Sequence, residues 1–424
     1  MDKKGLVIGI DFTEEFSMVC YFNERHGRVE NAADPLSSSC LLIPSAVSYD
    51  SERGSWLTGE AAREYSRKTG AFLYTELLTN TIAEGQCENT GERLSYSSIF
   101  AVFIDALIEM AYKCAGLRPA AFVNITLRRI NIQIKDAMER VLARVKSKRD
   151  CFHLLSYQES FAYFTVMQEE TLWADGADLF DFSNEGFFIN RLTCAAAAKE
   201  KMIFVNEQNF SMDFSCKDLK SAYSRMQLDE KLCTLYGEIK NEAKRSSVYF
   251  TGEGFEEPWY SNTLSTISHE KRVFRGNNIY ARGACLEGVL RKRGTLSGFK
   301  VICRAKTRAC VSVQARRFSL PEQVILSDAA LNWYEAGSET DFILDDERKI
   351  SFTVTSPFSR QKTEIDFDLS SFPERPPLAS RVRVKVNYIN EYECEISVRD
   401  LGLGQFYEPC GVEVKKILNL EGYI

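Results

Sequence analysis

Two segments of this chain share one pattern, in which a strand ends on an aspartate and a tight turn leads into a second strand. Residues 5–22 read "GLVIGIDFTEEFSMVCYF", with Asp11 at the end of the first strand. Residues 177–192 read "ADLFDFSNEGFFINRL", with Asp181 at the matching position. Alternating apolar residues bounded by polar turns are typical of strands. The sequence therefore contains a two-fold pattern of strand, aspartate, turn and strand, and any fold must accommodate both copies.

The composition is that of a globular protein with two or three domains. The chain has 424 residues, of which 45% are hydrophobic and 26% are charged. Its net charge of -6 provides no basic surface for phosphates, so we expect no nucleic-acid partner. No run of about eighteen apolar residues occurs, and the short N-terminal apolar run is broken by Asp11. We therefore expect neither a membrane span nor an export signal.

The cysteines indicate a reducing compartment. The chain has 13 cysteines, which are scattered singly without a CxxC pair, and only 3 histidines. Structural zinc sites need closely spaced cysteine and histidine ligands, so we expect no metal site. Unpaired thiols without an export signal are typical of cytoplasmic proteins, and we predict a cytoplasmic location.

The secondary-structure pattern changes near residue 297. Before it, strands alternate with amphipathic helices, such as the helix predicted over residues 96–116, which ends on Gly116. After it, short alternating strands separated by turn residues are typical of an antiparallel β-sandwich. We therefore predict a larger mixed α/β domain at residues 1–297 and a smaller β-sandwich at residues 298–424.

The motifs and their order resemble the ATPase superfamily of actin, sugar kinases and DnaK-type heat-shock chaperones, and the chaperones match best. "LLSYQESFAYF" is similar to their first connecting segment, "VYFTGEGF" to their adenosine motif, and "FPERPPLASRVRVKVNYINEYECEISVRD" to the end of their substrate-binding sandwich. The resemblance implies an actin-like ATPase fold with two lobes, followed by a β-sandwich like the chaperone substrate-binding domain. Only about fifty-five residues separate Leu192 from Val248, so we expect a reduced second lobe. The last strand lies close to Ile424, so we expect the helical lid to be absent.

The nucleotide loops of that family depart from the family pattern here, because each carries glutamate. The residues are Thr13, Glu14 and Glu15 in the first loop, Ser183, Asn184 and Glu185 in the second, and Gly252, Glu253 and Gly254 in the third. Phosphate loops use glycine because backbone amides must approach the oxygens closely, and they exclude negative charge. Two like charges about 4 Å apart repel by roughly 4 kcal/mol at an effective dielectric near 20. We therefore predict that ATP binding is lost.

The resemblance places a relic nucleotide site at Asp11, Thr13, Asp181, Ser183, Gly252 and Gly254. In the family such aspartates hold the magnesium shell, but a strand-end aspartate can also cap its own turn, and we favour capping. The loop glutamates form either an acidic cleft for a cation or basic segment, or solvated charge in a relic pocket, which we favour. Glu159 lies where the family has an acid that could activate water, and Ser160 replaces the family's proline. We predict no catalytic residue.

Two basic features allow alternative interpretations. "RRINIQIK" at residues 128–135 and "RKRG" at residues 291–294 are predicted to be solvated faces rather than docking patches. In the β-rich part, Arg304, Lys306 and Arg308 lie where the chaperones arch small apolar residues over a bound peptide. They form either a cleft that binds an acidic or mixed peptide segment, or a charged surface loop on a β-sandwich without a binding role.

The sequence thus favours a chaperone-like pseudo-ATPase, which binds or scaffolds a protein or peptide without ATP turnover and without a cofactor. One alternative is a divergent magnesium-dependent ATPase chaperone, whose glutamates bind extra magnesium. Another is an actin-like assembly adaptor that does no chemistry.

Overall fold

A computed structural model describes residues 5–33, 41–89, 92–196, 201–240, 244–345, 348–356 and 361–423. The chain is mixed α/β and divides into two compact units, unit 1 at Met1–Cys303 and unit 2 at Arg304–Ile424.

The strands of unit 1 are β1 (Leu6–Phe12), β2 (Phe16–Asn23), β3 (Arg28–Ala32), β4 (Ile43–Pro44), β5 (Val47–Asp50), β6 (Ser55–Thr58), β7 (Leu73–Tyr74), β8 (Gln86–Asn89), β9 (Glu92–Ser95), β10 (Ala120–Leu127), β11 (Phe152–Ser156), β12 (Ala177–Ser183), β13 (Gly186–Ala196), β14 (Lys201–Asn209), β15 (Ser247–Thr251), β16 (Arg272–Arg275) and β17 (Phe299–Ile302). The helices of unit 1 are α1 (Glu60–Thr69), α2 (Leu77–Ile82), α3 (Tyr96–Ala115), α4 (Ile132–Leu142), α5 (Tyr157–Val166), α6 (Ala222–Ile239), α7 (Ser261–Ser268) and α8 (Ile279–Arg293).

Unit 1 contains the same sheet twice. The first sheet has the strand order β11-β10-β1-β2-β3, and the second has the order β16-β15-β12-β13-β14, with β17 added at its edge. In each sheet the aspartate-bearing strand pairs antiparallel with the next strand and parallel with a later one. Asp11 lies opposite Thr126 of β10, and Asp181 lies opposite Thr251 of β15. The two-fold pattern of the sequence is therefore repeated in the sheet topology and register.

Helices α5 and α8 connect the two sheets, because each packs against the sheet other than the one that it follows in the sequence. Helix α5 follows the first sheet, yet Phe161 and Phe164 place their rings against Tyr249 of the second sheet. Helix α8 follows the second sheet and packs on β1 and β10 of the first. The two helices touch at Gly283, where a Cβ atom would lie 1.8 Å from the carbonyl oxygen of Ser160. Glycine is therefore required for the helices to cross this closely.

The first half of unit 1 is larger than the second. Between β3 and β10 lie strands β4–β9 and helices α1–α3, whereas in the described residues between β14 and β15 there are only a short 3-10 turn and helix α6. Helix α3 begins after Ser95, which accepts a hydrogen bond from the Ser98 amide, and ends at Gly116 in the left-handed conformation. The helix predicted over residues 96–116 is confirmed.

Strand β17 corrects one prediction of the sequence. Residues 299–302 were expected to begin the β-rich part, but they pair in parallel with β14, from Lys201 to Phe204. A short strand at this point gains hydrogen bonds by extending the edge of the second sheet. The boundary between the units therefore follows Cys303 rather than residue 297.

Unit 2 consists of two four-stranded antiparallel sheets around one core. Its strands are β18 (Cys310–Arg317), β19 (Leu320–Ser327), β20 (Ser338–Leu344), β21 (Lys349–Thr355), β22 (Lys362–Asp368), β23 (Ser380–Tyr388), β24 (Glu393–Gly402) and β25 (Glu413–Asn419). The sheet orders are β19-β18-β21-β22 and β20-β23-β24-β25. Alternate residues of β23, including Val382, Val384 and Val386, point into the core.

The end of the chain belongs to this core. Leu418, Leu420 and Tyr423 are buried among its apolar side chains. The apolar C-terminal segment therefore packs on unit 2. None of the helices in the described ranges combines the length and the apolar character needed to cross a lipid bilayer.

Candidate functional site

The carboxyl ends of the central strands meet at a cleft in unit 1 with a volume of about 210 Å³. Of the six predicted relic positions, five line it, namely Asp11, Thr13, Asp181, Ser183 and Gly252. All four loop glutamates line it as well, namely Glu14, Glu15, Glu185 and Glu253. The structure thus brings together loops that lie far apart in sequence, because both sheets direct the same strand ends towards one gap.

The two aspartates are held by a pair of tyrosines. The Tyr157 hydroxyl donates a 2.7 Å hydrogen bond to Asp11 Oδ1, and the Tyr280 hydroxyl donates one of 2.7 Å to Asp181 Oδ2. The tyrosine rings stack with centroids 3.7 Å apart and planes 14° apart. The prediction that each aspartate caps its own turn is wrong. Each instead binds the first residue or first turn of a connecting helix, α5 or α8.

The Asp11 carboxyl has an unusual acidity. Burial raises its pKa to about 7, and the charges of Asp181 and Glu185 act in the same direction, while the Tyr157 hydroxyl and Arg128 oppose the shift. This carboxyl group therefore keeps its proton to a higher pH than an ordinary aspartate does. A magnesium ligand must be ionised, so this environment disfavours the metal-binding role that the corresponding aspartates have in the ATPases that the sequence resembles.

Arg128 is a cleft residue that sequence reasoning missed. It follows β10, and its Nη1 lies 3.0 Å from Asp181 Oδ2 while its Nη2 donates to Ser183 Oγ at 3.2 Å. Its Nε donates to Glu185 Oε2. The side chain is only 14% exposed, so the prediction of a solvated face at residues 128–135 is wrong for this residue. The signal that could have found it is its position directly after a strand that neighbours β1.

Aromatic rings complete the environment of the guanidinium. Its carbon lies 4.9 Å from the ring centroid of Tyr157 and 4.4 Å from that of Phe188. Burial opposes the charge of Arg128, but Asp181 and the other anionic neighbours raise its pKa above the ordinary value. The arginine is therefore a permanent cation fixed in the cleft.

In the first turn, between β1 and β2, polar groups of the turn form hydrogen bonds with each other. The Thr13 amide donates to the Phe16 carbonyl at 3.0 Å, and the Thr13 hydroxyl donates to the same oxygen at 2.7 Å. The Phe16 amide donates back to the Thr13 hydroxyl at 3.1 Å. A phosphate loop needs amides directed at the ligand, and the amides of Thr13 and Phe16 are engaged within the turn.

The glutamates of this turn are bound by neighbouring segments. Glu14 Oε1 accepts hydrogen bonds from the amide and the hydroxyl of Thr79, both at 2.7 Å, at the start of helix α2. Glu15 Oε2 accepts one of 3.0 Å from the Asn184 side chain, which belongs to the second loop. Glu15 and Glu185 remain exposed, in line with the prediction of solvated loop charge, but with Glu185 bound to Arg128 all three carboxylates also have partners within the protein. Their carboxylates organise the cleft.

Glu253 and the glycines beside it face a different environment. The Glu253 pKa is raised by burial, with Asp181 and Glu15 adding to the shift. Gly252 has a φ of 95°, and a Cβ atom there would lie 2.2 Å from the carbonyl oxygen of Phe182. Gly254 does not line the cleft and is buried against the Phe182 ring. The glycines therefore serve the packing of Phe182 in an aromatic core.

Comparison with known sequences places the chain in a family. Residues 35–304 match the family described as "Family of unknown function (DUF5716) C-terminal". The chain belongs to this family. Residues 306–420 match a domain of unknown function, DUF8552, so the two matched regions meet where unit 1 passes into unit 2. No curated protein matches the sequence.

In this family member, Glu159 has a structural position. It is fully buried, and its Oε2 accepts hydrogen bonds from the amide and hydroxyl of Ser156, at 2.9 and 3.0 Å. Ser156 in turn accepts from the Glu159 amide, so the pair forms the capping box of α5. Ser160 donates to Thr126 Oγ1 at 2.8 Å. Glu159 is not among the residues that line the cleft and is not placed to activate water there.

The basic residues of unit 2 have separate environments. Arg304 Nε lies 2.9 Å from Glu391 Oε1, and the Arg308 guanidinium lies 4.7 Å from the Tyr392 ring centroid. Lys306 is only 8% exposed and lies in a bridge with Asn332. The expectation that all three present basic charge to a bound segment is therefore wrong for Lys306.

The acids of the cleft do not form a recognisable metal centre. In the part of the chain that the structure describes, no group of three or more histidine, cysteine, aspartate or glutamate side chains is arranged to hold a metal ion. The cation in this cleft is the guanidinium of Arg128.

Proposed function

We propose that this protein is a pseudo-ATPase of the actin and DnaK-type superfamily, which binds or scaffolds a protein or peptide partner without turning over ATP. The repeated strand order of unit 1, with Asp11 and Asp181 in equivalent positions, supports the relation to that superfamily. The observation that carries the proposal is Arg128, whose guanidinium reaches across the cleft to Asp181 and Ser183 of the other half of the relic site.

The size of the cleft supports this proposal. Small-molecule sites usually have volumes of about 300–1,000 Å³, whereas this cleft has about 210 Å³. The Arg128 side chain and the stacked tyrosines line the cleft together with the two aspartates. A nucleotide would have to displace Arg128 and leave the buried Asp181 without its ion-pair partner.

The charge of the cleft supports it as well. Among the described residues, six carboxyl groups line the cleft, and Arg128 is the one basic residue that does so. A polyphosphate that entered would meet Glu15, Glu185 and Glu253 at the positions where the DnaK-type ATPases present glycine amides. Each close pair of like charges costs roughly 4 kcal/mol at an effective dielectric near 20.

The proposed partner is a protein or peptide bound in the cytoplasm. This part rests on the resemblance of the β-rich region to a substrate-binding sandwich and on the compact antiparallel sheets of unit 2. The net charge of -6 disfavours a nucleic-acid partner.

Isothermal titration of the full chain with ATP and ADP in magnesium buffer tests the proposal. We expect no binding heat, while the nucleotide-binding domain of a DnaK-type chaperone in the same buffer provides the positive control. Micromolar binding would overturn the pseudo-ATPase. If phosphate were also released, and less so in Asp11→Ala or Asp181→Ala, the divergent ATPase would be the correct alternative. Sedimentable polymers would instead support the assembly adaptor.

A further inference from the structure

Among the described residues, side-chain links join the loops after β1 and β10 to the second sheet. Arg128, after β10, reaches the second aspartate hairpin at Asp181, Ser183 and Glu185. Glu15 accepts from Asn184 at 3.0 Å, and Arg129 Nη2 lies 3.3 Å from Glu207 of β14. Of these links, that of Arg128 is the most buried, because it contacts Asp181, whose side chain is only 2% exposed.

The Arg128 link differs from the other two in burial and in the number of contacts. The Arg128 side chain is 14% exposed, whereas that of Arg129 is 50% exposed. The planar guanidinium engages a carboxylate, a hydroxyl and a second carboxylate with three different nitrogens. A buried charge-assisted link of this kind is stronger and less screened than an exposed ion pair.

A lysine in place of Arg128 could not make the same set of contacts. An ammonium group is a compact charge without a planar fork, so it cannot span Asp181, Ser183 and Glu185 at once. It also lacks the flat face that Arg128 places against Tyr157 and Phe188.

The Arg128 link joins the two sheets at a different place from the crossing of α5 and α8, so it can affect whether the cleft opens. At the floor of the cleft, α5 and α8 touch at Ser160 and Gly283 and cannot move apart without losing this packing. The hairpin turns at the opening have no comparable packing, since their contacts across the cleft are made by side chains. Motion of the two sheets about the helix crossing would therefore open the cleft at these turns.

We propose that Arg128 is an internal latch that holds the cleft of unit 1 closed by joining the loops of the two sheets. The guanidinium supplies, from the chain itself, a cationic bridge from the end of β10 to the acidic second hairpin. With the latch in place, unit 1 remains in one closed arrangement, as a scaffold requires. The inference deepens the proposed function and rests on it only for this last point, because the latch itself is defined by contacts within unit 1.

Hydrogen–deuterium exchange of the full chain, without nucleotide, tests the latch in Arg128→Ala. We expect amides of residues 183–186 to exchange about tenfold faster or more, because this turn loses its bridge. Amides of residues 13–16 should also exchange faster, because Glu15 is linked to the same turn through Asn184. Arg140→Ala is the matched control. Arg140 is a partly buried arginine of α4, but it donates to the Thr81 carbonyl within the first half. It should leave both turns at wild-type rates.

Wild-type exchange at both turns in Arg128→Ala would overturn the latch. If Arg128→Ala does not fold, Glu185→Gln decides the question. Glu185 is 40% exposed, and its replacement leaves the Arg128–Asp181 ion pair intact. Faster exchange at residues 183–186 in Glu185→Gln supports the latch, and wild-type exchange overturns it. Neither result changes the outcome of the nucleotide titration, so the two proposals fail separately.

Discussion

Tyr157 and Tyr280 stack on each other with ring centroids 3.7 Å apart, and each donates its hydroxyl to the aspartate of its own sheet. The two residues come from equivalent connecting helices and meet where the two halves of unit 1 meet. Their stack closes the cleft floor below Arg128, whose guanidinium also lies over the Tyr157 ring. Two halves with the same topology are thus joined through equivalent side chains.

Tyr157→Phe should destabilise the protein by about 1–3 kcal/mol, because the buried Asp11 carboxyl loses its hydrogen-bond donor. Urea unfolding at pH 7 measures the change. Tyr223→Phe is the control, since Tyr223 is 66% exposed and its replacement should change stability by less than about 0.5 kcal/mol. Equal stability of the two variants would show that the Tyr157 hydroxyl contributes nothing.

Asp11→Asn should alter the pH dependence of stability. The pKa of Asp11 is about 7 in the folded protein against an ordinary value of 3.8, so the folded chain retains a proton that the unfolded chain has released above about pH 4. Stability from this group is therefore present in acid and is lost as the pH rises through 7. Relative to Asp11→Asn, the wild type should lose about 2–3 kcal/mol between pH 5 and pH 8. Urea unfolding at four pH values measures this difference, and parallel curves for the two proteins would contradict the raised pKa.

Gly283→Ala should destabilise unit 1 by about 1–3 kcal/mol or more, because its Cβ atom would lie 1.8 Å from the Ser160 carbonyl oxygen and force α5 and α8 apart. Gly237→Ala provides a matched control in another helix. No atom lies within 4 Å of a Cβ there, and the change should stabilise helix α6 by about 0.5–1 kcal/mol. Thermal unfolding of both variants checks the opposite signs. A stabilising Gly283→Ala would contradict the close helix crossing.

Arg375→Ala should destabilise unit 2 by about 3–5 kcal/mol, because it leaves the fully buried Asp400 without its ion-pair partner. The pair is bidentate, at 2.6 and 2.8 Å, and although burial opposes ionisation, the Arg375 hydrogen bonds help to lower the Asp400 pKa. Arg383→Ala is the control, because Arg383 binds Asp341 on the surface and should cost less than about 1 kcal/mol. Urea unfolding followed by the fluorescence of Trp333, a core residue of unit 2, measures both. Similar losses in the two variants would show that burial of the pair is unimportant.

Local features of this protein were predictable from the sequence. The helix over residues 96–116 was predicted from apolar spacing and from Gly116, and both signals act within a few residues. The loops at Asp11, Asp181 and Gly252 were predicted from strand patterns and from a resemblance, and the structure brings them to one cleft. The turn glutamates were correctly recognised as unusual, but their partners were not.

The errors concern contacts between distant residues. Arg128 was assigned to a solvated face because its sequence neighbours are polar, whereas its partners lie more than fifty residues away. Strand β17 was assigned to unit 2 because its alternation fits any sheet, and only pairing with β14 determines which sheet it joins. Glu159 was considered as a possible activator of water because the capping box, although visible as serine and glutamate three residues apart, was not recognised.

The sequence by itself determined the repeated hairpins, the positions of the two aspartates and the acidic character of the three loops. These follow from strand periodicity and residue type, which act locally along the chain. Only the tertiary structure decided that Tyr157 and Tyr280 bind the aspartates and that Arg128 forms an ion pair with Asp181 in the cleft. The energy of a buried charge depends on which groups surround it in space, and the folding of two sheets around exchanged helices decides those neighbours.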